Sequence, residues 1–335
     1  MVKNEVNKEV QKMESDCSKK YSDARKGKVT PNLPNQGVAR NDILAKVNGF
    51  TAAGKKHYAE GGFTCGALFT KDLGHWDFVA DVMKDCITSN PLHIDEYLYV
   101  TQMEAEIIRW TLDLYKGDEN TCGIVTSGGT ESIILAVLAY REQGLIERSI
   151  TKPNIVCSET VHPAFDKGGH YLGVEIRKVP LLKNFMADVK AMKRQIDSNT
   201  ICLVASAPEY PFGNMDPVEE IAALAQSYGI GCHSDCCIGS YINPFMEELG
   251  HKLPSKFDFR VPGVTSISCD PHKYALGPKG CSLLMFREKR LREYQFFANT
   301  EWNGGIYATT CMAGSRPGNV IAGTWASMLS LGREG

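Results

Sequence analysis

Between residues 154 and 286, short apolar runs alternate with helix-forming stretches, and that alternation leaves few folds open. Asn154–Ser158, Val174–Val179, Ile201–Ser206, Gly229–His233, Val264–Cys269 and Cys281–Phe286 read as short buried strands. Helices are expected at Ala187–Asp197 and Val218–Tyr228. The second is well punctuated: Asp216 can cap it, Pro217 suits its first turn and Gly229 its end. Strands alternating with helices build an α/β fold, a mostly parallel sheet with helices on both faces. Ligands on such sheets sit beyond the carboxyl ends of the strands.

Upstream, Met103, Ile107, Trp110 and Leu114 recur at helical spacing and share one face, with Gly117 as a stop. Thr126-Ser127-Gly128-Gly129-Thr130-Glu131 then runs straight into an apolar helix, Ser132 to Arg141, ending near Gly144. From Gly37 to about Asn90 the chain is rich in glycine and aromatics without sustained periodicity, which reads as an extended segment lying on a larger body. The residues before it are polar and Lys-rich with no apolar core, a mobile leader or solvated helix rather than a targeting signal.

Composition excludes several function classes. Thirty-seven basic against 39 acidic residues leave a net charge of −2, which makes no electrostatic case for nucleic acid or an acidic membrane as partner. The longest apolar run, Ile133 to Tyr140, falls far short of the ~20 residues that cross a bilayer. Twelve cysteines scattered through a long chain without a secretory signal fit a reduced, cytoplasmic setting. The tightest cluster, Cys232, His233, Cys236 and Cys237, lacks paired C-x-x-C spacing, so it reads as a strand end rich in small buried thiols and no metal is expected.

Three groups of residues carry chemistry. Ser127-Gly128-Gly129-Thr130 lies at a loop-to-helix junction, where unpaired N–H groups and the helix dipole attract anions; taken alone it also serves any tight turn. Asp235 follows a predicted strand and puts a carboxylate where a cofactor would lie, suited to holding a ring nitrogen protonated, although taken singly a surface or helix-capping Asp is the favoured reading. Ser268-Cys269-Asp270-Pro271-His272-Lys273-Tyr274 puts a lysine in a turn after a buried strand, as a Schiff-base lysine requires, with its amine reachable and its pKa depressed by its surroundings. His162, after Asn154–Ser158, could lay its imidazole over a flat ring.

The order of glycine-rich loop, His, Asp and Lys, each at a strand end or helix start, resembles fold-type I enzymes that use pyridoxal 5′-phosphate (PLP), and within them the sphingosine 1-phosphate lyase family. The likeness is densest in Ser89–His93, Thr126–Ser132, Glu159–Lys167, His233–Gly239, Asp270–Gly280 and Ala313–Gly318. It implies Lys273 as the Schiff-base lysine, Asp235 on the pyridine nitrogen and His162 stacked on the ring. The cofactor phosphate would be held by Ser127, Gly128, Gly129 and Thr130, with His272 nearby, Cys237 and Ser268 close to the cofactor, and Gly314 and Ser315 supplied by a second subunit of a homodimer. Asn90, His93, Tyr210 and Lys279 match positions used for substrate phosphate or proton transfer.

The implied reaction cleaves the Cα–Cβ bond of a phosphorylated sphingoid base, giving a long-chain aldehyde and phosphoethanolamine. The alternatives are an amino-acid decarboxylase of the same fold and a non-catalytic relative. Two departures stand out: Cys65-Gly66-Ala67-Leu68-Phe69 puts Phe69 where the family has an active-site tyrosine, and Ser240 stands where glycine is usual. The implied organisation is a polar leader over 1–36, an extended segment contributing to the active site over 37–95, a large PLP-binding domain over 96–310, and over 311–335 the start of a connection to a C-terminal small domain that the chain lacks. Relatives from eukaryotes carry a membrane anchor that this sequence lacks, so the expected place is the cytoplasm, or the cytosolic face of the endoplasmic reticulum where an anchor is supplied.

Overall fold

Helices occupy much of the stretch expected to be extended. The computed structural model describes residues 2–25, 34–59, 69–70 and 72–335, and it divides into two compact units, residues 1–63 and 64–335. The first unit holds α1 (Val2–Arg25) and α2 (Arg40–Ala59), and α2 carries Ile43, Leu44, Val47 and Phe50 at helical spacing, all exposed. The second unit opens with α3 (Leu73–Asp85), started by Asp72, whose Oδ1 accepts the N–H groups of Gly74 at 2.9 Å and His75 at 3.3 Å. Behind this cap Trp76, Val79 and Met83 recur at helical spacing on the inward side, with Val79 buried. The predicted helix before Gly117 is α4 (Leu98–Leu114), which buries Val100, Ile107, Thr111 and Leu112.

The remaining elements follow in alternation: β1 (Cys122–Thr126), α5 (Gly129–Arg148), β2 (Asn154–Ser158), α6 (Ala164–Leu172), β3 (Glu175–Val179), α7 (Val189–Gln195), β4 (Thr200–Ser206), α8 (Val218–Ser227), β5 (Gly231–Asp235), α9 (Asn243–Met246), β6 (Ser266–Cys269), α10 (Pro271–Tyr274), β7 (Ser282–Phe286) and α11 (Lys289–Glu293). A small hairpin, β8 (Phe297–Asn299) and β9 (Tyr307–Thr309), precedes the last helix, α12 (Gly318–Leu331). Seven strands form one sheet in the order β1-β7-β6-β5-β4-β2-β3. The pairs β2–β3, β2–β4, β4–β5 and β5–β6 are parallel, and β7 runs antiparallel to both β6 and β1.

Alternation along the strands sends successive side chains to opposite helical layers. Leu203 and Ala205 of β4 join Val218, Ile221, Ala222 and Ala225 of α8 on one face. Cys202 and Val204 join Ile133, Leu135, Ala136 and Tyr140 of α5 on the other. Truncating a fully buried member such as Ile221 to alanine costs about 2–5 kcal/mol.

Four expectations are corrected here. Helix α5 runs one turn past Gly144, because Gly144 is a packing residue: a Cβ there would come within 2.7 Å of Ile201 Cγ2. Strand β5 starts at Gly231, since Gly229 sits in a turn at φ 63°, and so Asp235 is the last residue of the strand itself. The Asp216 side chain does not cap α8. It is buried and accepts the N–H groups of Ser206 at 2.9 Å and Ala187 at 3.0 Å, two donors that would otherwise lack partners; burial pushes its pKa up to about 6. Finally, α12, expected to begin a connection, belongs to the main body: Ile321, Ala322 and Ala326 are buried and Trp325 Nε1 donates to Glu106 at 2.6 Å.

Candidate functional site

One edge of the sheet gathers the chemistry. Strands β1 and β6 both oppose β7, so they point the same way, and the register Ser206↔Asp235↔Ser268 brings the ends of β4, β5 and β6 level. Thr126, Ser158, Ser206, Asp235 and Cys269 therefore end their strands at a common edge, where the following loops carry Ser127–Gly128, His162, Tyr210, Cys237 and Lys273.

Gly128 begins α5 without a side-chain cap, and the N–H groups of Gly128, Gly129 and Thr130 find no acceptor among the described residues. Such a helix start is an anion cradle. Glu131 braces it: Oε2 accepts Ser127 N–H at 2.7 Å and Oε1 accepts Met312 N–H at 3.0 Å, tying the glycine-rich turn to the loop before α12. Gly129 has no room for a side chain, since a Cβ would lie 2.9 and 3.0 Å from the Asp270 carboxylate oxygens and 3.0 Å from Cys237 Sγ.

Lys273 lies in the four-residue helix α10, three residues after Asp270, and its Nζ is 2.8 Å from Asp270 Oδ2. Burial disfavours its charge, but Asp270, with Cys237 and Asp235 behind it, outweighs that and raises the pKa above the ordinary lysine value. The expectation of a depressed lysine is thus corrected, and the cause is a carboxylate within contact distance. Asp270 Oδ1 is buried with no hydrogen-bond partner among the described residues.

His272 Nδ1 donates its proton to the Cys281 carbonyl, leaving Nε2 3.7 Å from Asp270 Oδ2. Burial lowers its pKa, against the pull of Asp270. Lys279 donates to the His272 carbonyl at 2.9 Å and stands 4.4 Å over the Phe69 ring, while burial and the Lys273 charge lower its pKa. Phe69 meets Tyr274 edge to face at 5.0 Å; Cys65–Leu68 lie outside the described residues.

Asp235 Oδ1 accepts Cys237 N–H and the Ser268 hydroxyl, each at 3.1 Å, and Oδ2 meets no donor among the described residues. Burial drives the Cys237 thiol well above its usual range, so it stays neutral. Ser268 is fully buried behind Asp235. His162 is exposed on the β2–α6 turn, its Nδ1 accepting Ala164 N–H at 3.1 Å. Tyr210 is exposed on the β4–α8 loop, next to Glu209, which accepts the N–H groups of Phe212 and Asn214.

A second group forms around Asn90. Its Nδ2 donates to Ser315 Oγ at 3.1 Å and its Oδ1 accepts Arg316 N–H at 3.1 Å; Arg316 in turn makes a two-pronged ion pair with Glu104 at 2.7 and 2.9 Å. His93 is exposed in the same turn and Gly314 immediately precedes Ser315. Among the described residues no hydrogen bond or ring contact joins His162, Tyr210 or the Asn90 group to Lys273. Sequence reasoning missed Asp270, Glu131, Glu104 and Arg316 as site residues. Glu131 was findable as the acidic residue three positions into a helix that lacks a capping side chain.

Residues 24–335 match the pyridoxal-dependent decarboxylase conserved domain. A solved sphingosine-1-phosphate lyase from Burkholderia pseudomallei is 35% identical with a TM-score of 0.89, over 92% of this chain and 72% of that one. The chain belongs to the pyridoxal-dependent decarboxylase family, in its sphingosine-1-phosphate lyase branch. Sphingosine-1-phosphate lyase 1 of Rattus norvegicus is 44% identical over 303 residues, which are 90% of this chain and 53% of the rat protein. The chain thus spans about half the length of the curated relatives it matches. Lactobacillus brevis glutamate decarboxylase, at 20% identity and TM-score 0.74, shares the fold.

The cofactor of this pyridoxal-dependent family fits the residues at the sheet edge. Unpaired N–H groups at Gly128–Thr130 suit a phosphate, Asp235 Oδ2 faces no donor among the described residues, and Lys273 is an amine at the same strand ends, 2.8 Å from Asp270. Asp270 Oδ1, buried without a partner among the described residues, is an acceptor that an added group would satisfy. Among the described residues no cluster of His, Cys, Asp and Glu has the geometry of a metal site, and no helix is long and apolar enough to cross a membrane.

Proposed function

We propose that this chain carries the PLP-binding body of a lyase that cleaves the Cα–Cβ bond of phosphorylated sphingoid bases, releasing a long-chain aldehyde and phosphoethanolamine. The observation that carries the reading is the convergence of Gly129, Asp270, Cys237 and Lys273 within contact distance at the sheet edge where Asp235 ends β5. The lyase-branch membership supports the substrate class.

PLP, when bound, supplies an aldehyde for amines and a protonated ring that draws off electrons released at Cα. Lys273 would be the amine that holds the cofactor. Asp270 keeps Nζ oriented and accepts its proton contact at 2.8 Å. Asp235 holds a proton on the ring nitrogen through Oδ2. The N–H groups of Gly128, Gly129 and Thr130 bind the cofactor phosphate. His162, standing on the β2–α6 turn, covers the ring. Lys279, whose pKa is lowered, and Tyr210 are the groups assigned to proton transfer at the 3-hydroxyl; Asn90 and His93 hold the substrate phosphate.

The reading extends to a homodimer in which the Gly314–Ser315 loop completes the partner's phosphate site. Ser315 is tied to the Asn90 turn by a hydrogen bond of 3.1 Å. Light scattering that finds two chains per particle supports this, and a fully active monomer overturns it. The reaction itself is tested by incubating PLP-loaded protein with phosphorylated sphingoid bases and, separately, with glutamate and aromatic amino acids. Aldehyde from the first set and no carbon dioxide from the second is the expected result; carbon dioxide without aldehyde makes the protein a decarboxylase, and neither product makes it a non-catalytic relative.

A further inference from the structure

Behind Asp235 runs a line of buried polar side chains. On β5, positions 231, 233 and 235 share a face, and on β6 positions 266 and 268 share it too, paired as His233↔Ser266 and Asp235↔Ser268. His233 Nε2 is 3.0 Å from Ser268 Oγ and Nδ1 is 2.7 Å from Ser266 Oγ. Ser266 Oγ is 2.6 Å from Tyr140 Oη, which is 2.7 Å from Thr265 Oγ1. Tyr140 reaches this line from α5 because Gly231 makes room; a Cβ there would lie 2.2 Å from the ring. His233, Ser266 and Ser268 are fully buried, and Phe165 of α6 packs against the imidazole at 5.7 Å.

From Tyr140 to Asp235 the direction of each bond follows from one end. A carboxylate only accepts, so the single Ser268 proton goes to Asp235 Oδ1. Ser268 Oγ must then accept from His233, which places the imidazole proton on Nε2. A neutral imidazole has no second proton, so Nδ1 accepts from Ser266. That spends the Ser266 proton, so Tyr140 donates to Ser266; Thr265 Oγ1 has the Cys232 carbonyl as an acceptor at 3.1 Å and stands outside the chain. Burial keeps the imidazole neutral down to about pH 4, against the opposing pull of Asp235.

We propose that His233 is a positioning residue for the cofactor-facing carboxylate: it links Tyr140 and Ser266 to Ser268 in a one-way donor chain that ends on Asp235 Oδ1. Dipoles aligned head to tail reinforce one another and stabilise a buried negative charge. The chain fixes the rotamer of Asp235 and satisfies Oδ1 from behind, so that Oδ2 is the oxygen left for a donor on the open side. The cluster of His233 with Cys232, Cys236 and Cys237 is thereby accounted for by hydrogen bonding to serines, not by metal.

This inference rests on the reading of Asp235 as the ring-nitrogen partner, but its first test does not. Nitrogen-15 NMR of the histidine side chains in the cofactor-free full-length protein at pH 7 should find His233 neutral with its proton on Nε2, and Ser268→Ala should abolish that single-tautomer signature. A proton on Nδ1, or a charged imidazole, overturns the chain whether or not PLP binds. With PLP added, Ser268→Ala and His233→Gln should weaken cofactor binding about tenfold or more and shift the visible absorbance of the bound cofactor with pH, while circular dichroism stays that of the unaltered protein. Unchanged affinity and unchanged spectra in a folded variant reduce His233 to a packing residue and overturn the proposal.

Discussion

Lys273 Nζ stands 2.8 Å from Asp270 Oδ2, across the single turn of α10. The contact reverses the effect of burial: the half-buried lysine is raised instead of depressed. Before a carbonyl compound can be attacked, this amine has to lose its proton, and Asp270 opposes that loss.

Asp270→Asn removes the raising charge and leaves burial to act alone, so the Lys273 pKa falls. The rate at which added PLP condenses with the cofactor-free protein, followed by absorbance across pH, should shift its midpoint to lower pH in the variant. A midpoint that does not move means that Asp270 does not govern the lysine.

His233 gives the stability of the fold an acid limb. Its pKa is about 4 when folded, driven down by burial, against ~6.5 in an unfolded chain. Between those values the unfolded chain binds a proton that the folded one refuses, so stability is full above pH 6.5 and is lost as pH falls toward 4, by about 3 kcal/mol at most. Asp216, raised to about 6, works the other way, because the folded chain there holds a proton that the unfolded one releases. Denaturant midpoints at pH 7 and pH 5 for the protein and its His233→Gln variant separate the two. The unaltered protein should lose more on acidification than the variant, and equal losses contradict the assignment.

Much of this was legible before the structure, and the limits have physical causes. Buried parallel strands such as β2 and β4 announce themselves as short apolar runs, and Lys273 three residues after Asp270 is visible in any reading of the turn. Helix α3 was not read, although Trp76, Val79, Met83 and Cys86 recur at helical spacing behind the Asp72 cap, because the glycines and aromatics around it mask so short a stripe. Glu131 reaching Met312 and Arg316 pairing with Glu104 join residues about two hundred positions apart, which no local pattern encodes. The donor chain behind Asp235 depends on the β5–β6 register, so His233 looked like one member of a thiol cluster until Ser266 and Ser268 were aligned with it.

Phe69 marks a functional cost. Its ring lies under the Lys279 ammonium at 4.4 Å and against Tyr274, where the family resemblance places a tyrosine. Phe69→Tyr restores a hydroxyl beside a lysine whose pKa is already lowered, and aldehyde release from a phosphorylated sphingoid base should rise about 10²-fold. An unchanged rate shows that another group serves that proton.

The central claim is that Lys273 is the amine that carries PLP. Borohydride reduction of the PLP-loaded protein, followed by proteolysis and mass spectrometry of the labelled peptide, addresses it in one step. The pyridoxyl group should be found on Lys273, in the peptide containing Asp270-Pro271-His272-Lys273-Tyr274; finding it on Lys279 or Lys167 contradicts the account.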